Sequence, residues 1–520
     1  MNTPLSNAPS LILAIDFGTQ SCRALAYTDQ GKCLAKCQLP VTEYQHPEPE
    51  WTEHDVEGFW TLLAESCRGL WSRGIAPQDI AAVVVTTQRA SVINLDENGR
   101  PLRPAIIWTD QRKAPLRQRL PWYWRALFGL LRIRPIVDNL EAETEANWLE
   151  RYEPELWART AHYLLLSGYL NYRFTGAFKD SVGSQVGYLP FDFKKQSWCA
   201  ASDWKWHSMA IKRYMLPELS DVGEVLGYVA ADAAEATGVP VGVPVIAGAA
   251  DKACEVLGVG ALEAGVASIS CGTTATINTT RSKYVEVVPL MPAYPAALPG
   301  QFNTEIQVFR GFWMVSWFLE QFGESERRRA EAEDIAPETL LEELLEQTEP
   351  GAGGLILQPF WNPVLGETGP EGRGSMVGFK DFHTRAHVYR ALIEGLVFAL
   401  RSGKQRIERR TGTPIERIRV SGGGAQSDAV VQILADVLNL PVERFEDCEA
   451  SGRGAAMIGA AALGWYPSAR AASEAVLQHA TKTTSIPHAT TQYEDIYKNL
   501  YQPLYQRLKP LFLVNQSDTN

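Results

Sequence analysis

Three stretches of this chain combine residue types that could do chemistry with a spacing that would present them. In Pro244 to Thr280, PVIAGAADKACEVLGVGALEAGVASISCGTTATINTT, the apolar run Val245 to Ala247 predicts a strand. Asp251 stands where that strand opens into a helix whose face carries Ala253, Val256 and Leu257. A carboxylate at a strand end projects into a cleft, so we read this stretch as the active centre. Ala267, Ile269 and Cys271 then form a second strand, Gly272-Thr273-Thr274 a tight turn, and Thr276 to Asn278 the way out. Glycine lets backbone N–H groups approach an anion, and threonine hydroxyls add donors. The same device recurs near the N-terminus, where Leu11 to Ile15 leads into Asp16-Phe17-Gly18-Thr19-Gln20-Ser21 and returns through Arg23 to Tyr27. Neither loop has the Lys-Ser/Thr ending of a P-loop, and neither is the GxGxxG dinucleotide pattern. Each alone is also what an ordinary polar-tipped hairpin would show.

Further polar groups gather at strand ends, which is where open α/β sheets bind ligands. Thr87, Gln88 and Arg89 follow the apolar strand Ile80 to Thr86, and Asp110 and Arg112 follow Ala105 to Trp108. Arg89 and Asp110 could hold sugar hydroxyls; the alternative is a satisfied ion pair at a sheet edge. Gly422-Gly423-Gly424 ends the strand Ile418 to Val420 and precedes a helix, Asp428 to Leu438, so a flat base or a phosphate could lie against bare backbone.

The elements that must position these groups are those of a large α/β protein. At 520 residues the chain exceeds one usual hydrophobic core, so two domains of about 200 to 250 residues are expected. A 45% apolar and 21% charged composition is that of a globular protein. The net charge of −11 argues against broad binding to nucleic acid or anionic membrane, and a single phosphate pocket is compatible with it. Eight cysteines without a CxxC pair read as reduced, mostly buried thiols. The first ten residues lack a basic start and an apolar core, and no apolar run reaches membrane-spanning length, so a cytoplasmic location is expected. Trp51 to Asp55 opens an amphipathic helix through Leu70, capped by Thr52 or Asp55. Arg119 to Arg134 is aromatic and basic, and is read as a helix covering the cleft or meeting a second subunit, with a homodimer as the partner it would imply. Gly454 to Gly464 is a small-residue helix suited to close packing. The tyrosines 493, 497, 501 and 505 form a ladder, with Pro503 expected to kink it or start its last turn.

In this order, two hairpin loops, an Asp-bearing segment, a glycine-rich loop and a small-residue helix resemble the actin, Hsp70 and sugar kinase superfamily. Within it the chain resembles the FGGY carbohydrate kinases. The motifs run from IDFGTQSCR through TTQR, WTDQR, GAADKACEVLGVG, SCGTT and GSMVGFKDFHTRAHVYRALIEG to SGGGAQSDAVVQILADVLNLPV. The resemblance implies two actin-like (ribonuclease H-like) domains with a cleft between them: an N-terminal one, 9–248, a C-terminal one, 249–470, and a helical segment, 471–520. It implies ATP and Mg²⁺ as cofactors and a small-molecule sugar or polyol as substrate. ATP phosphates would lie on the first loop, with Gly18, Thr19, Gln20, Ser21 and Arg23, and on Gly272 and Thr273. Gly423, Gly424 and Ser427 would border the adenosine, beside Gly311. Asp16 would orient Mg²⁺ with Asp251 close to the ion, and Asp251 would take the proton of the attacking hydroxyl. Gln88, Arg89, Trp108, Asp110 and Lys252 would line the acceptor.

The chain departs from the pattern at three places. Lys252 follows Asp251 where many relatives carry Gln or Asn. Ala90 follows Arg89 where glycerol kinases carry Glu. Gly168 stands where relatives often show Asp. Gln88-Arg89 with Trp108 and Asp110 is nearer the glycerol kinase branch than the Gln-Met-His of typical xylulose kinases, so the acceptor is left between glycerol and xylulose or ribulose. The other class compatible with these loops is an actin-like or Hsp70-like ATPase, or a regulator without turnover. A mechanical ATPase has no need of a hydroxyl-holding Gln-Arg and Asp cluster.

Overall fold

The computed structural model describes residues 10–116, 119–362, 368–369, 371–447 and 449–514. Cys448, nine of the first ten residues and part of the loop 361–378 lie outside the described residues. Contacts gather the chain into two compact units. The first holds the described residues up to Gly258 together with Tyr294–Phe302 and Ser451–Gln478; the second holds Val259–Ala293, Asn303–Ala450 and the described residues from His479 on.

In the first unit, β1 (Leu11–Phe17), β2 (Ser21–Thr28) and β3 (Cys33–Pro40) form an antiparallel meander. On the other side of β1 lies β4 (Ile80–Thr87), parallel to it. The edge strand β5 (Val225–Tyr228) pairs antiparallel with β6 (Pro244–Ile246), which is parallel to β4, giving the order β5-β6-β4-β1-β2-β3. All seven residues of β1 are buried, as a strand covered on both faces requires, and this is why its sequence runs apolar rather than alternating. Helix α1 (Val56–Trp71) covers the sheet with Val56, Phe59, Leu63, Cys67 and Leu70, at spacings of three and four. Its N-cap is Asp55, which accepts from Gly58 N at 2.9 Å. Of the two caps expected, Asp55 is the one used and Thr52 is not, because Glu53–His54 pairs with Ala105–Ile106 as a short strand and so extends the backbone up to the cap. Helix α2 (Leu166–Thr175) ends on Gly176 at φ 74°. Helix α3 (Asp251–Gly258) follows β6.

In the second unit β7 (Val266–Cys271) is central. It is antiparallel to β8 (Ala275–Arg281), which neighbours β9 (Phe302–Val308), and parallel to β10 (Arg417–Ser421). Helix α4 (Arg385–Thr411) precedes β10, and α5 (Asp428–Leu438) connects β10 to β11 (Val442–Phe445); β12 (Lys482–Ser485) closes the edge antiparallel to β11. The order from β9 through β8, β7 and β10 to β11 repeats the arrangement β3-β2-β1-β4-β6 of the first unit. In both, a hairpin leaves the carboxyl end of the central strand, and that end carries the loop singled out in the sequence.

The small-residue helix Ala450–Ala462 returns to the first unit from Ser451 on. A Cβ on Gly454 would run into the carbonyl oxygen of Cys254, so only glycine lets this helix lie directly on α3. Gly459 meets Val84 and Ile12 in the same way. Helices Trp122–Leu130 and Arg134–Glu143 bury Phe128 and Val137 against Leu120 and leave Trp122 and Leu130 exposed. The tyrosine ladder is buried throughout, and a π turn over Tyr497–Tyr501 precedes the helix Gln502–Val514, which has Pro503 in its first turn. A widened turn ahead of a proline relieves the clash of its ring with the carbonyl four residues back. The seven described cysteines are free thiols. Among the described residues no helix is long and apolar enough to cross a membrane.

Candidate functional site

In the first unit two of the expected acceptor residues, Arg89 and Lys252, meet Asp251 at the start of α3. The Asp251 Oδ1 accepts from Lys252 N at 2.7 Å and lies 3.9 Å from Arg89 Nε; a quarter of the Asp251 side chain is open to solvent. Burial raises the Asp251 carboxyl above its ordinary range, against the opposing pull of Lys252 and Arg89. The Arg89 guanidinium stands 5.2 Å over the Tyr294 ring. Ser451, from the returning helix, donates to the Asp251 carbonyl at 3.3 Å. The Lys252 Nζ reaches Glu255 Oε2 at 2.8 Å, one turn along the helix. Burial acts to lower the Lys252 pKa, and the charges of Glu255 and Asp251 overcome it, so the ammonium is held above its usual range.

Gln88 and Trp108 meet the first loop instead. Thr19 Oγ1 donates to Gln88 Oε1 at 2.8 Å and accepts from Trp108 Nε1 at 2.8 Å, while Tyr44 OH donates to Thr19 O at 2.6 Å. The loop itself is tight: Gly18 N donates to Ser21 O at 3.0 Å, and Gln20 O accepts from Val41 N. Asp16, at the end of β1, is buried, and its Oδ2 accepts from Arg23 Nη1 at 2.9 Å across the hairpin. Asp110 is engaged on both oxygens. Arg112 reaches Oδ1 through Nε at 2.8 Å and Oδ2 through Nη2 at 2.7 Å, and Thr52 N also donates to Oδ2. The Arg112 guanidinium lies over the Trp51 and Trp148 rings at 4.1 and 4.6 Å, the two rings meeting edge to face, and it shares Nη2 with Glu53. The ion-pair alternative for Asp110 is therefore what the geometry contains.

In the second unit the nucleotide-side residues come together at the carboxyl ends of β7 and β10. Gly272 O accepts from Phe312 N at 3.0 Å, and Thr274 Oγ1 donates to Phe309 O at 3.1 Å, which ties the second loop to the turn bearing Gly311. A Cβ on Gly311 would strike the backbone N of Ala275. Gly422, at φ 85°, passes so close to Cys271 that a Cβ would lie 2.9 Å from its carbonyl carbon. Gly424 lies under the Phe312 ring, whereas Gly423 opens to free space. Ser427 caps α5, its hydroxyl oxygen accepting from Val430 N at 3.2 Å.

Sequence reasoning had not named Tyr44, Tyr294 or Glu255. Tyr44 and Tyr294 lie far along the chain from the groups they touch, and no local pattern links them. Glu255 was legible as a carboxylate three residues after Lys252, a spacing that pairs on a helix.

Family models describe both halves of the chain. The N-terminal domain of the FGGY family of carbohydrate kinases matches residues 11–258, and its C-terminal domain residues 267–463. A xylulose kinase of Lactococcus lactis subsp. lactis is 28% identical over 509 residues, 95% of this chain and 96% of that protein. A glycerol kinase of Dechloromonas aromatica is 28% identical over 472 residues, 88% of this chain and 89% of that protein. Among solved structures, a ligand-bound xylulose kinase from Lactobacillus acidophilus superposes with a TM-score of 0.80 at 20% identity, covering 96% of this chain and 98% of that one. Plasmodium falciparum glycerol kinase with ADP gives 0.76 at 20% identity, over 96% and 99%. At that identity the likeness speaks to the fold, the two-domain actin-like α/β architecture.

Proposed function

Since the chain belongs to the FGGY family of carbohydrate kinases, phosphotransferases that act on an alcohol group, we propose that it moves the γ-phosphate of ATP to a hydroxyl of a small polyol or ketose with Asp251 as general base. The observation that carries this reading is the placement of Asp251: a partly open carboxylate at the start of α3, backed by the Arg89 guanidinium at 3.9 Å. A base must lie within hydrogen-bond reach of the proton it takes and have a pKa nearer the working pH than a free carboxylate. The upward shift at Asp251 serves the second requirement. Arg89 keeps the carboxylate ionised and offers donors to acceptor hydroxyls, with Gln88 and Trp108 beside it on the first loop. Asp110 acts on the acceptor side through Arg112 and the tryptophan pair, as a support.

Phosphoryl transfer is mainly positioning and neutralisation of charge. Backbone N–H groups and hydroxyls of Gly18 to Ser21 and of Gly272 and Thr273 supply donors for phosphate oxygens, and Gly423, Gly424 and Ser427 border the adenosine beside Gly311. Mg²⁺ takes one or two carboxylates together with water and phosphate oxygens rather than an all-protein cage. The residues fit that habit. No cluster of three or more His, Cys, Asp or Glu side chains among the described residues could hold a metal, while Asp16 and Asp251, which both act on the buried Cys254 thiol, are carboxylates of one unit. Asp16 would hold the ion, mostly through water, with Asp251 close by; when bound it neutralises charge on the phosphates.

A panel of glycerol, erythritol, xylulose, ribulose and related acceptors, read as ADP release in a coupled assay, tests the reading. One acceptor should stimulate release, and Asp251→Asn should cut that stimulation by about 10² to 10⁴ while ATP still binds. No stimulation by any acceptor, or an Asn variant with undiminished turnover, refutes it. Xylulose and glycerol head the panel because relatives of both names align over most of the chain.

A further inference from the structure

Arg444 lies on β11, next to the glycine-rich loop in space and 18 residues beyond its Gln426 in sequence. Its Nη1 donates to the carbonyl oxygens of both Ala425 and Gln426 at 3.0 Å, and its Nη2 reaches Asp428 Oδ1 at 2.5 Å. One planar guanidinium therefore grips two consecutive carbonyls of the loop and the first residue of α5. A lysine, with a single point of charge, cannot reproduce this fork. The other supports of the same loop act at its ends: Gly422 against Cys271 at the start, and at the finish the Ser427 cap and Glu342, which accepts from Ala429 N at 2.9 Å. In the middle, Gly424 lies under the Phe312 ring and Arg444 holds the carbonyls that follow it.

The peptide bond is planar and trans, so a carbonyl fixed in one direction turns the next residue's N–H in the opposite direction. Holding the carbonyls of Ala425 and Gln426 on Arg444 aims the N–H groups of Gln426 and Ser427 away from the guanidinium. An open groove of about 460 Å³, lined by Arg444, Asp428, Gln432, Thr483 and Ser485, adjoins the strap. Without the strap the loop, whose three glycines have little conformational preference, would sample many shapes.

We propose that Arg444 is a nucleotide-positioning residue, which presets the Gly423–Ser427 loop in the shape that receives the adenosine. The inference rests on the reading of that loop as the adenosine border. A ligand that binds only one loop shape loses apparent affinity in proportion to the fraction of molecules in that shape. If removal of the strap leaves about one molecule in ten competent, the affinity for ATP falls about tenfold.

The test is ATP binding to the full chain by calorimetry, with steady-state kinetics on whichever acceptor is active. Arg444→Gln should weaken ATP binding about 5- to 50-fold, with the loss falling on KM for ATP rather than on KM for the acceptor. Arg444→Lys should recover part of it. Arg417→Gln, which removes an exposed cation on the neighbouring strand β10 that pairs with Glu443 at 3.5 Å, serves as the control and should bind ATP as the wild type does. Unchanged ATP affinity in Arg444→Gln overturns the proposal, as does an equal rise of both KM values. Failure of the loop assignment looks different: the wild type would bind ATP, and Gly424→Val, whose Cβ runs into the Phe312 ring and reshapes the loop, would bind it equally well.

Discussion

The electrostatic coupling of Arg89 to Asp251 yields a prediction that can be worked to a number. Two unit charges 3.9 Å apart interact by about 1 kcal/mol in a water-like medium and about 4 kcal/mol at an effective dielectric near 20. The side chains are 15% and 25% exposed, so the value lies between these limits. The sign follows from the role of the base. Asp251 works when ionised; burial raises its pKa, and Arg89 opposes that rise. Arg89→Gln removes the opposing cation, leaves more of the carboxyl protonated at a given pH, and moves the acid limb of kcat/KM to higher pH. The assay is ADP release from pH 4 to 9 at constant ionic strength, with Arg89→Lys as the charge-keeping control. Loss of acceptor contacts will lower the plateau in Arg89→Gln, but the position of the limb is independent of plateau height. A limb that stays in place, or moves to lower pH, would refute the coupling and with it the assignment of Asp251 as the titrating base.

Two further outcomes follow from packing. Gly311→Ala drives a methyl into the backbone of Ala275 beside the second loop; it should destabilise by about 1 to 3 kcal/mol and raise KM for ATP, as read by urea unfolding and initial rates. Lys252→Met removes the cation that pairs with the Glu255 carboxylate, 6% exposed, and should cost about 3 kcal/mol of stability, the low end for a broken buried pair. Glu255→Gln in the same molecule should restore most of that loss. Restoration failing in urea unfolding would mean that the pair is not what holds the helix there.

The sequence by itself determined what depends on neighbours along the chain. The two hairpin loops end central strands whose apolar runs were legible, Asp251 opens a helix after a short apolar strand, and Asp428 to Leu438 is helical over the range expected after the glycine-rich turn. Glycine requirements were legible too, because a turn or close approach excludes a Cβ whatever the partner. Tertiary structure alone decided the partners. Residues 451–478 return to the first unit, where Gly454 meets Cys254 two hundred positions earlier. Tyr294 stands under Arg89, Arg112 claims both oxygens of Asp110, and Arg444 straps the glycine-rich loop. Such contacts are set by strand order and by which helix crosses which sheet, and a one-dimensional period carries neither. Hence the places of the candidate site residues along their elements could be read from local pattern, while the charges and donors beside them became visible only once the strands were in order.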